Sequence, residues 1–118
     1  IKGWLTDNGE AQEKIYNVAW SGDRKLNAQE KLEAVVNTVD LSTGEYTNDY
    51  GASALATVWQ DPNFNPQQRA FYYVRVLEIP TPRHSTLNAI QLNQAVETTL
   101  QAATIQERAY TSPIWYQP

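Results

Sequence analysis

The chain has 118 residues, of which 42% are hydrophobic and 19% charged, and its nine basic and thirteen acidic residues give a formal net charge of -4. This length and composition predict one folded domain, residues 1–118, and exclude intrinsic disorder. The acidic balance gives no general attraction to nucleic acid or anionic membranes, and no apolar run approaches the roughly 20 residues of a membrane span. The absence of cysteine excludes disulfides and thiolate metal sites but leaves the compartment open, with a periplasmic or secreted location among the alternatives.

Turn residues divide the first part of the chain into strand-like runs. Asp7-Asn-Gly-Glu10 stands between residues 1–5 and 12–20, and an Asn-Gly pair in this position predicts a β-hairpin. Residues 28–36 fit two helical turns, yet their β-branched residues favour a strand, so both interpretations stay open.

Three further features are predicted before residue 67. Residues 36–41 and 46–50 flank the turn Ser42-Thr-Gly-Glu45 and indicate a second hairpin. The alternation of Leu55, Thr57 and Trp59 with Ala54, Ala56 and Val58 predicts a strand that ends at Asp61-Pro62. The loop that follows contains two prolines, and we expect Phe64 to pack from it against the core.

The most regular strand pattern runs from Arg69 to Ile79. This segment combines aromatic and β-branched residues without glycine or proline, and both of its faces are largely apolar. It therefore predicts a central strand covered on both sides. Pro80 and Pro82 are expected to end its pairing.

The last third of the chain predicts one helical segment and a bent strand. Apolar residues recur at spacings of three and four, with Ser85 or Thr86 as the N-cap, at Ala89, Leu92, Val96, Leu100 and Ala103. Residues 104–116 read as a strand that bends at Pro113. Together the elements predict a mainly β fold, an antiparallel β-sandwich-like domain with one helical or irregular insertion at about residues 85–103.

No catalytic motif is present, and only a few residues stand out as site candidates. His84 is the single histidine, which rules out a multi-histidine metal site within this chain. Glu78 lies on an apolar strand face, where a buried carboxylate needs a partner such as Arg75, Arg83 or Arg108. Glu107 and Arg108 are neighbours on a strand and face opposite sides. The four tryptophans fit a core better than a sugar-binding platform.

Three long motifs resemble the C-terminal region of the bacterial domain of unknown function 3604 family: Asp61-Pro-x-Phe64, Gln68-Arg-Ala-Phe-Tyr-Tyr-Val-Arg-Val-Leu-Glu-Ile-Pro-Thr-Pro-Arg83 and Thr104-Ile-Gln-Glu-Arg-Ala-Tyr-Thr-Ser-Pro-Ile-Trp-Tyr116. The resemblance covers essentially the whole chain, because three earlier segments fit the same family: Ile1-Lys-Gly-Trp-Leu5, Lys14-Ile-Tyr-Asn-Val-Ala-Trp-Ser-Gly-Asp-Arg24 and Asn37-Thr-Val-Asp40. It departs from the family at His84, where the family usually carries tryptophan, and over residues 87–103, which are more helix-like here.

The resemblance implies that the chain is a C-terminal fragment of a longer protein whose N-terminal part is similar to metal-dependent hydrolases of the polymerase-and-histidinol-phosphatase type. We therefore expect no catalytic residue, metal or cofactor within residues 1–118, a divalent metal in the N-terminal part, and contact with that part. Self-association of the fragment is the other expected contact. The interface or site-border candidates are Glu78, Arg83, His84, Glu107, Arg108 and Trp115. The alternative function is an independent carbohydrate- or ligand-binding module.

Overall fold

A computed structural model describes all residues from Ile1 to Pro118. The chain forms six short strands and one helix: β1 (Lys2–Leu5), β2 (Ala11–Lys14), β3 (Ala70–Tyr72), β4 (Arg75–Pro82), α1 (His84–Gln91), β5 (Thr104–Tyr110) and β6 (Ile114–Tyr116). Every strand pair is antiparallel. The fold is therefore mainly β with one short helix, as the sequence predicts, while the sandwich arrangement stays a prediction.

Four strands form the main sheet in the order β2-β1-β3-β6. The Asn-Gly hairpin prediction is confirmed, because β1 and β2 pair across a turn in which Gly9 has a φ of 79° and its N–H donates to the carbonyl of Thr6 at 2.9 Å. Glycine adopts this left-handed conformation without steric cost. The second strand is shorter than predicted, since its pairing ends at Lys14 rather than at Trp20.

The predicted central strand, Arg69–Ile79, divides into β3 and β4, which belong to different sheets. The division falls at Tyr73-Val74. The N–H of Tyr73 still bonds to the carbonyl of Ile1 at 3.0 Å, whereas Val74 exchanges bonds with Thr111. The prediction of one central strand covered on both faces is therefore wrong, because β4 pairs with β5 alone and its residues Val76 and Leu77 are exposed.

Prolines do not end β4, contrary to the prediction. Its pairing continues to Pro82, beyond a register shift between Leu77 and Pro80. The N–H of Arg83 donates to the carbonyl of Ala103 at 2.9 Å, so by alternation the nitrogens of Pro80 and Pro82 face the unpaired edge. Proline costs no ladder hydrogen bond in that position.

Residues 36–59 form turns and irregular chain instead of the predicted strands. The turn at 40–45 closes through the N–H of Asp40, which donates to the carbonyl of Glu45 at 2.8 Å, and Gly44 has a φ of 77°. No ladder extends from this turn. Residues 55–59 find no partner strand, and Val58 is fully exposed. Alternation alone was insufficient here because a strand also needs a neighbouring edge.

The insertion after β4 is helical at first and irregular afterwards, as predicted for residues 85–103. Helix α1 begins after Arg83, which is the N-cap, and ends at Gln91. Neither Ser85 nor Thr86 is the cap; the Thr86 hydroxyl instead donates to the carbonyl of Ala103 at 2.7 Å. The apolar stripe beyond Gln91 is largely uncovered, since Leu92 and Leu100 are exposed, and a helix of this length depends on such packing.

The core is very small. Five of the 118 residues are buried, namely Lys2, Gly3, Ala70, Thr86 and Ala103. The radius of gyration is 18.7 Å, compared with about 13 Å for a compact domain of roughly 100 residues. Most large apolar side chains thus lie at the surface.

The main sheet has two unlike faces. Lys2 lies beside Lys14 and Tyr72 on one face, which we name the loop face because residues 59–64 lie against it. Gly3 lies beside Phe71, and Phe71 beside Trp115, on the other face, which we name the open face. Cross-strand neighbours share a face, so this register determines which side chains can meet.

Candidate functional site

A buried ion pair on the loop face is the centre of a polar cluster. The Lys2 ammonium donates to Oδ2 of Asp61 at 2.6 Å and to the carbonyl of Asn63 at 2.8 Å. Only 3% of the Lys2 side chain and 5% of the Asp61 side chain are exposed. The ammonium also lies 5.2 Å from the centre of the Trp4 ring and 5.9 Å from that of Tyr72, where cation–π attraction adds to the ion pair.

Two tyrosines complete the surroundings of the carboxylate. The Tyr72 hydroxyl donates to Oδ2 of Asp61 at 2.8 Å, and the Tyr16 hydroxyl lies 3.2 Å from Oδ1. The N–H of Asn63 donates to Oδ1 at 2.8 Å in a local turn of the type that aspartate favours. Trp59 packs against both tyrosine rings, with centroid distances of 4.8 Å to Tyr16 and 6.4 Å to Tyr72.

These contacts shift the pKa values of Asp61, Tyr16 and Tyr72. Burial of Asp61 would raise its pKa, but hydrogen bonds from Lys2, Asn63 and Tyr72 outweigh burial and hold the pKa below its usual value. Burial and the neighbouring Asp61 carboxylate raise the pKa of Tyr16 to about 12. The same two causes raise the pKa of Tyr72.

The cluster is built to hold a loop in place and not to react. Lys2, Tyr72 and the N–H of Asn63 donate to the two oxygens of Asp61, and the Tyr16 hydroxyl lies within reach of both Asp61 and Asn63, so little lone-pair capacity is left for a metal ion. Lys2 is charged and engaged, which removes it as a nucleophile. The adjoining depression, of about 740 Å³, is open to solvent and is lined by Trp59, Gln60, Asp61, Pro62, Phe64 and Tyr72.

Glu78 and Glu107 meet at the irregular point of the β4–β5 ladder. The register passes from Leu77 opposite Arg108 to Pro80 opposite Gln106, which leaves Glu107 facing Glu78 and Ile79. Both glutamates are exposed, and neither forms an ion pair. The expectation that Glu78 is buried beside an arginine is therefore wrong, because this face of β4 is open to water.

The other sequence-predicted residues lie in three separate places. Arg83 caps α1 and its Nε donates to the carbonyl of Ala102 at 2.7 Å, while the neighbouring His84 accepts a bond from Asn88 at 3.1 Å. Arg108 is exposed on β5. Trp115 belongs to the main sheet, on the open face, and is 67% exposed. The six candidates thus form no single constellation.

The loop-face cluster was missed by the sequence reasoning, although two signals pointed to it. A lysine at the second residue of a strand that otherwise reads as apolar needs a buried partner. The Asp61-Pro-Asn pattern places a carboxylate in a stiff turn. The sequence could not predict that Lys2 pairs with Asp61, because the two residues are 59 positions apart in the chain.

No three histidine, aspartate or glutamate side chains come together in an arrangement that would hold a metal ion. The one helix is too short to cross a membrane. The fold and the cluster together define a mainly β chain with a stabilising ion pair and an uncovered sheet face.

The chain belongs to the family described as protein of unknown function DUF3604, whose model matches residues 1–118. The resemblance that the three motifs indicated is thereby confirmed over the whole chain. No curated protein and no solved structure matches it.

Proposed function

We propose that the chain is a structural accessory part of a larger metal-dependent hydrolase, without a complete active site of its own, and that it packs against the catalytic part of the same polypeptide. The observation that carries this proposal is the small core: five residues are buried, while large apolar side chains such as Leu5, Ile15 and Trp115 are exposed. An antiparallel sheet with one apolar uncovered face needs a covering layer.

The polar chemistry of the chain agrees with an accessory role. Its buried carboxylate and ammonium neutralise each other, and its exposed glutamates lie apart from the single histidine. A hydrolytic site needs an available base or a metal-bound water. In this proposal the divalent metal belongs to the catalytic part.

The alternative of a carbohydrate-binding module has less support. Trp59 lies against the loop face and Trp115 lies on the open face, so these two exposed tryptophans cannot form one platform. The open face does carry further aromatic rings beside Trp115, at Phe71 and Tyr73, but Trp115 is its only tryptophan.

Tryptophan exposure tests the accessory role. Acrylamide quenching should be compared between residues 1–118 alone and a polypeptide that joins them to the segment encoded directly upstream. We expect Trp115 to be quenched readily in the short chain and at least fivefold less in the long one, with a Trp115→Phe variant used to assign the signal. Equal quenching in both would contradict the proposal.

An activity assay provides a second test. The 118-residue chain should not hydrolyse p-nitrophenyl phosphate when Mn²⁺ or Zn²⁺ is added. Stoichiometric metal binding in calorimetry together with turnover by the chain alone would show that it holds its own active site.

A further inference from the structure

The β4–β5 ladder separates its charges by face. Arg75 lies opposite Tyr110, and Leu77 lies opposite Arg108. Because residues i and i+2 share a face, these four side chains lie on one side, which we name the arginine face. Glu78 directly follows Leu77, and Glu107 directly precedes Arg108. Both glutamates therefore point to the other side of the ladder.

The two arginines of this face have no acidic partner within the chain. Its two ion pairs join Lys2 to Asp61 and Lys14 to Glu30. As diagonal neighbours in an antiparallel pair, Arg75 and Arg108 have Cβ atoms roughly 7–8 Å apart. Two adjacent guanidinium groups without counter-ions, in a chain of net charge -4, leave the capacity for bidentate carboxylate binding unused.

The arginine face continues into a row of aromatic rings. Ring centroids are separated by 5.2 Å from Trp115 to Phe71, 6.3 Å from Phe71 to Tyr73 and 6.2 Å from Tyr73 to Tyr110. We name these four residues the aromatic strip. It begins on the open face of the main sheet and ends at Tyr110, directly opposite Arg75, so it joins both sheets in one surface.

Gly3 allows the strip to lie close to the sheet. A Cβ atom at this position would stand 2.3 Å from Cζ of Phe71, which no side chain permits. Phe71 therefore leans over β1, and Trp115 and Tyr110 at the two sides of the strip remain more than half exposed. The strip is a shallow apolar surface with positive charge at one end.

We infer that the aromatic strip and the arginine face together form the surface on which the catalytic part of the same polypeptide docks. The docked surface is apolar along the strip and presents aspartate or glutamate carboxylates opposite Arg75 and Arg108. This inference rests on the proposed function and adds to it the docking face and the chemistry of the partner.

Charge selects this occupant over a second copy of the chain. A copy docked through the same face would bring no carboxylate to Arg75 and Arg108, because the aromatic strip and the arginine face contain no aspartate or glutamate. An acidic polypeptide surface neutralises both guanidinium groups and covers the aromatic rings at the same time.

Chemical modification of arginine tests the docking face. Phenylglyoxal should be applied to residues 1–118 alone and to the polypeptide that includes the upstream segment, with the rate at each arginine followed by mass spectrometry. We expect Arg75 and Arg108 to react at least tenfold more slowly in the long polypeptide. Arg24 is the internal control, because its guanidinium already bonds within its own loop to the carbonyls of Ser21 and Glu33.

The outcomes separate this inference from the proposed function. If Trp115 is shielded in the long polypeptide while Arg75 and Arg108 react as before, the accessory role stands and the acidic partner is wrong. If nothing is shielded, both are wrong. Protection of the two arginines in the short chain, with a dimeric mass in light scattering, would make a second copy the occupant and would overturn the inference.

Charge reversal gives an independent readout in the long polypeptide. The double variant Arg75→Glu/Arg108→Glu should restore oxidative labelling of Tyr110 to at least half its rate in the short chain. Lys25→Glu is the control, because it makes the same change of charge at a single residue of an exposed loop. It should leave the labelling of Tyr110 unchanged. Unchanged labelling in the double variant would contradict docking through carboxylates.

Discussion

Replacement of Lys2 by methionine should destabilise the chain far more than removal of the exposed Lys14 charge. The variant keeps the apolar stem against Trp4 but leaves the Asp61 carboxylate buried without its cation. Breaking a buried ion pair by removing one partner costs about 3–5 kcal/mol. Because Tyr72, Tyr16 and the N–H of Asn63 still donate to Asp61, we expect the lower end, about 3 kcal/mol.

Urea unfolding followed by tryptophan fluorescence measures this loss, and Lys14→Met is the matched control. Lys14 lies on the same sheet face, but 39% of its side chain is exposed and it is 3.6 Å from Glu30. An exposed pair of this kind contributes about 0.2–1 kcal/mol. The double variant Lys2→Met/Asp61→Asn should recover part of the loss, since the uncompensated charge is gone. Equal unfolding midpoints for Lys2→Met and Lys14→Met would refute the reasoning.

Four further predictions concern pH, packing and a buried hydroxyl. Asp61 has a lowered pKa in the folded chain, so its stabilisation is present above the unfolded value of about 3.9 and is lost as the pH falls through the folded value. Urea titrations from pH 6 to 2 should show a smaller loss of stability in Asp61→Asn than in the native chain, because only the carboxyl groups of Asp40 and Glu97, whose pKa values are also lowered, remain to contribute. The pKa of Tyr16 is raised to about 12 in the folded chain, so its stabilisation is fully present below pH of about 10 and is lost as the pH rises through 12. Urea titrations at alkaline pH should therefore show a smaller decline of the free energy of unfolding in Tyr16→Phe than in the native chain. Gly3→Ala should cost about 1–3 kcal/mol by displacing Phe71, seen as a shifted Trp115 emission; an unchanged spectrum and midpoint would contradict the packing. Thr86→Val should cost about 1 kcal/mol by removing the bond to Ala103, whereas Thr81→Val, whose contact is 3.5 Å long, should cost less; equal losses for the two variants would contradict the role of Thr86.

The sequence predicted the features that depend on local residue chemistry. The Asn8-Gly9 turn, the bend at Pro113 between β5 and β6, and the helical start of the insertion near residue 85 all follow from turn and helix preferences. The family was also identified from continuous motifs, because long runs of matching residues need no tertiary information.

Features that depend on a distant partner were missed. Residues 55–59 alternate like a strand yet find no neighbouring edge, and Arg69–Ile79 divides because Val74 bonds to Thr111, 37 residues away. The apolar stripe predicted beyond Gln91 is uncovered at Leu92 and Leu100, so the helix ends at Gln91. The site candidates were scattered for the same reason, since neighbouring motifs in sequence lie on different sheets.

Hydrogen exchange tests the central claim, that the uncovered sheet docks on a catalytic part, most directly. The rates to compare are those of the amides in β4, β5 and β6, measured in residues 1–118 alone and in the polypeptide that includes the upstream segment. Docking predicts exchange at least tenfold slower in the long polypeptide for these strands, with residues 22–34 unchanged. Equal exchange rates in β4, β5 and β6 for the two polypeptides would contradict it.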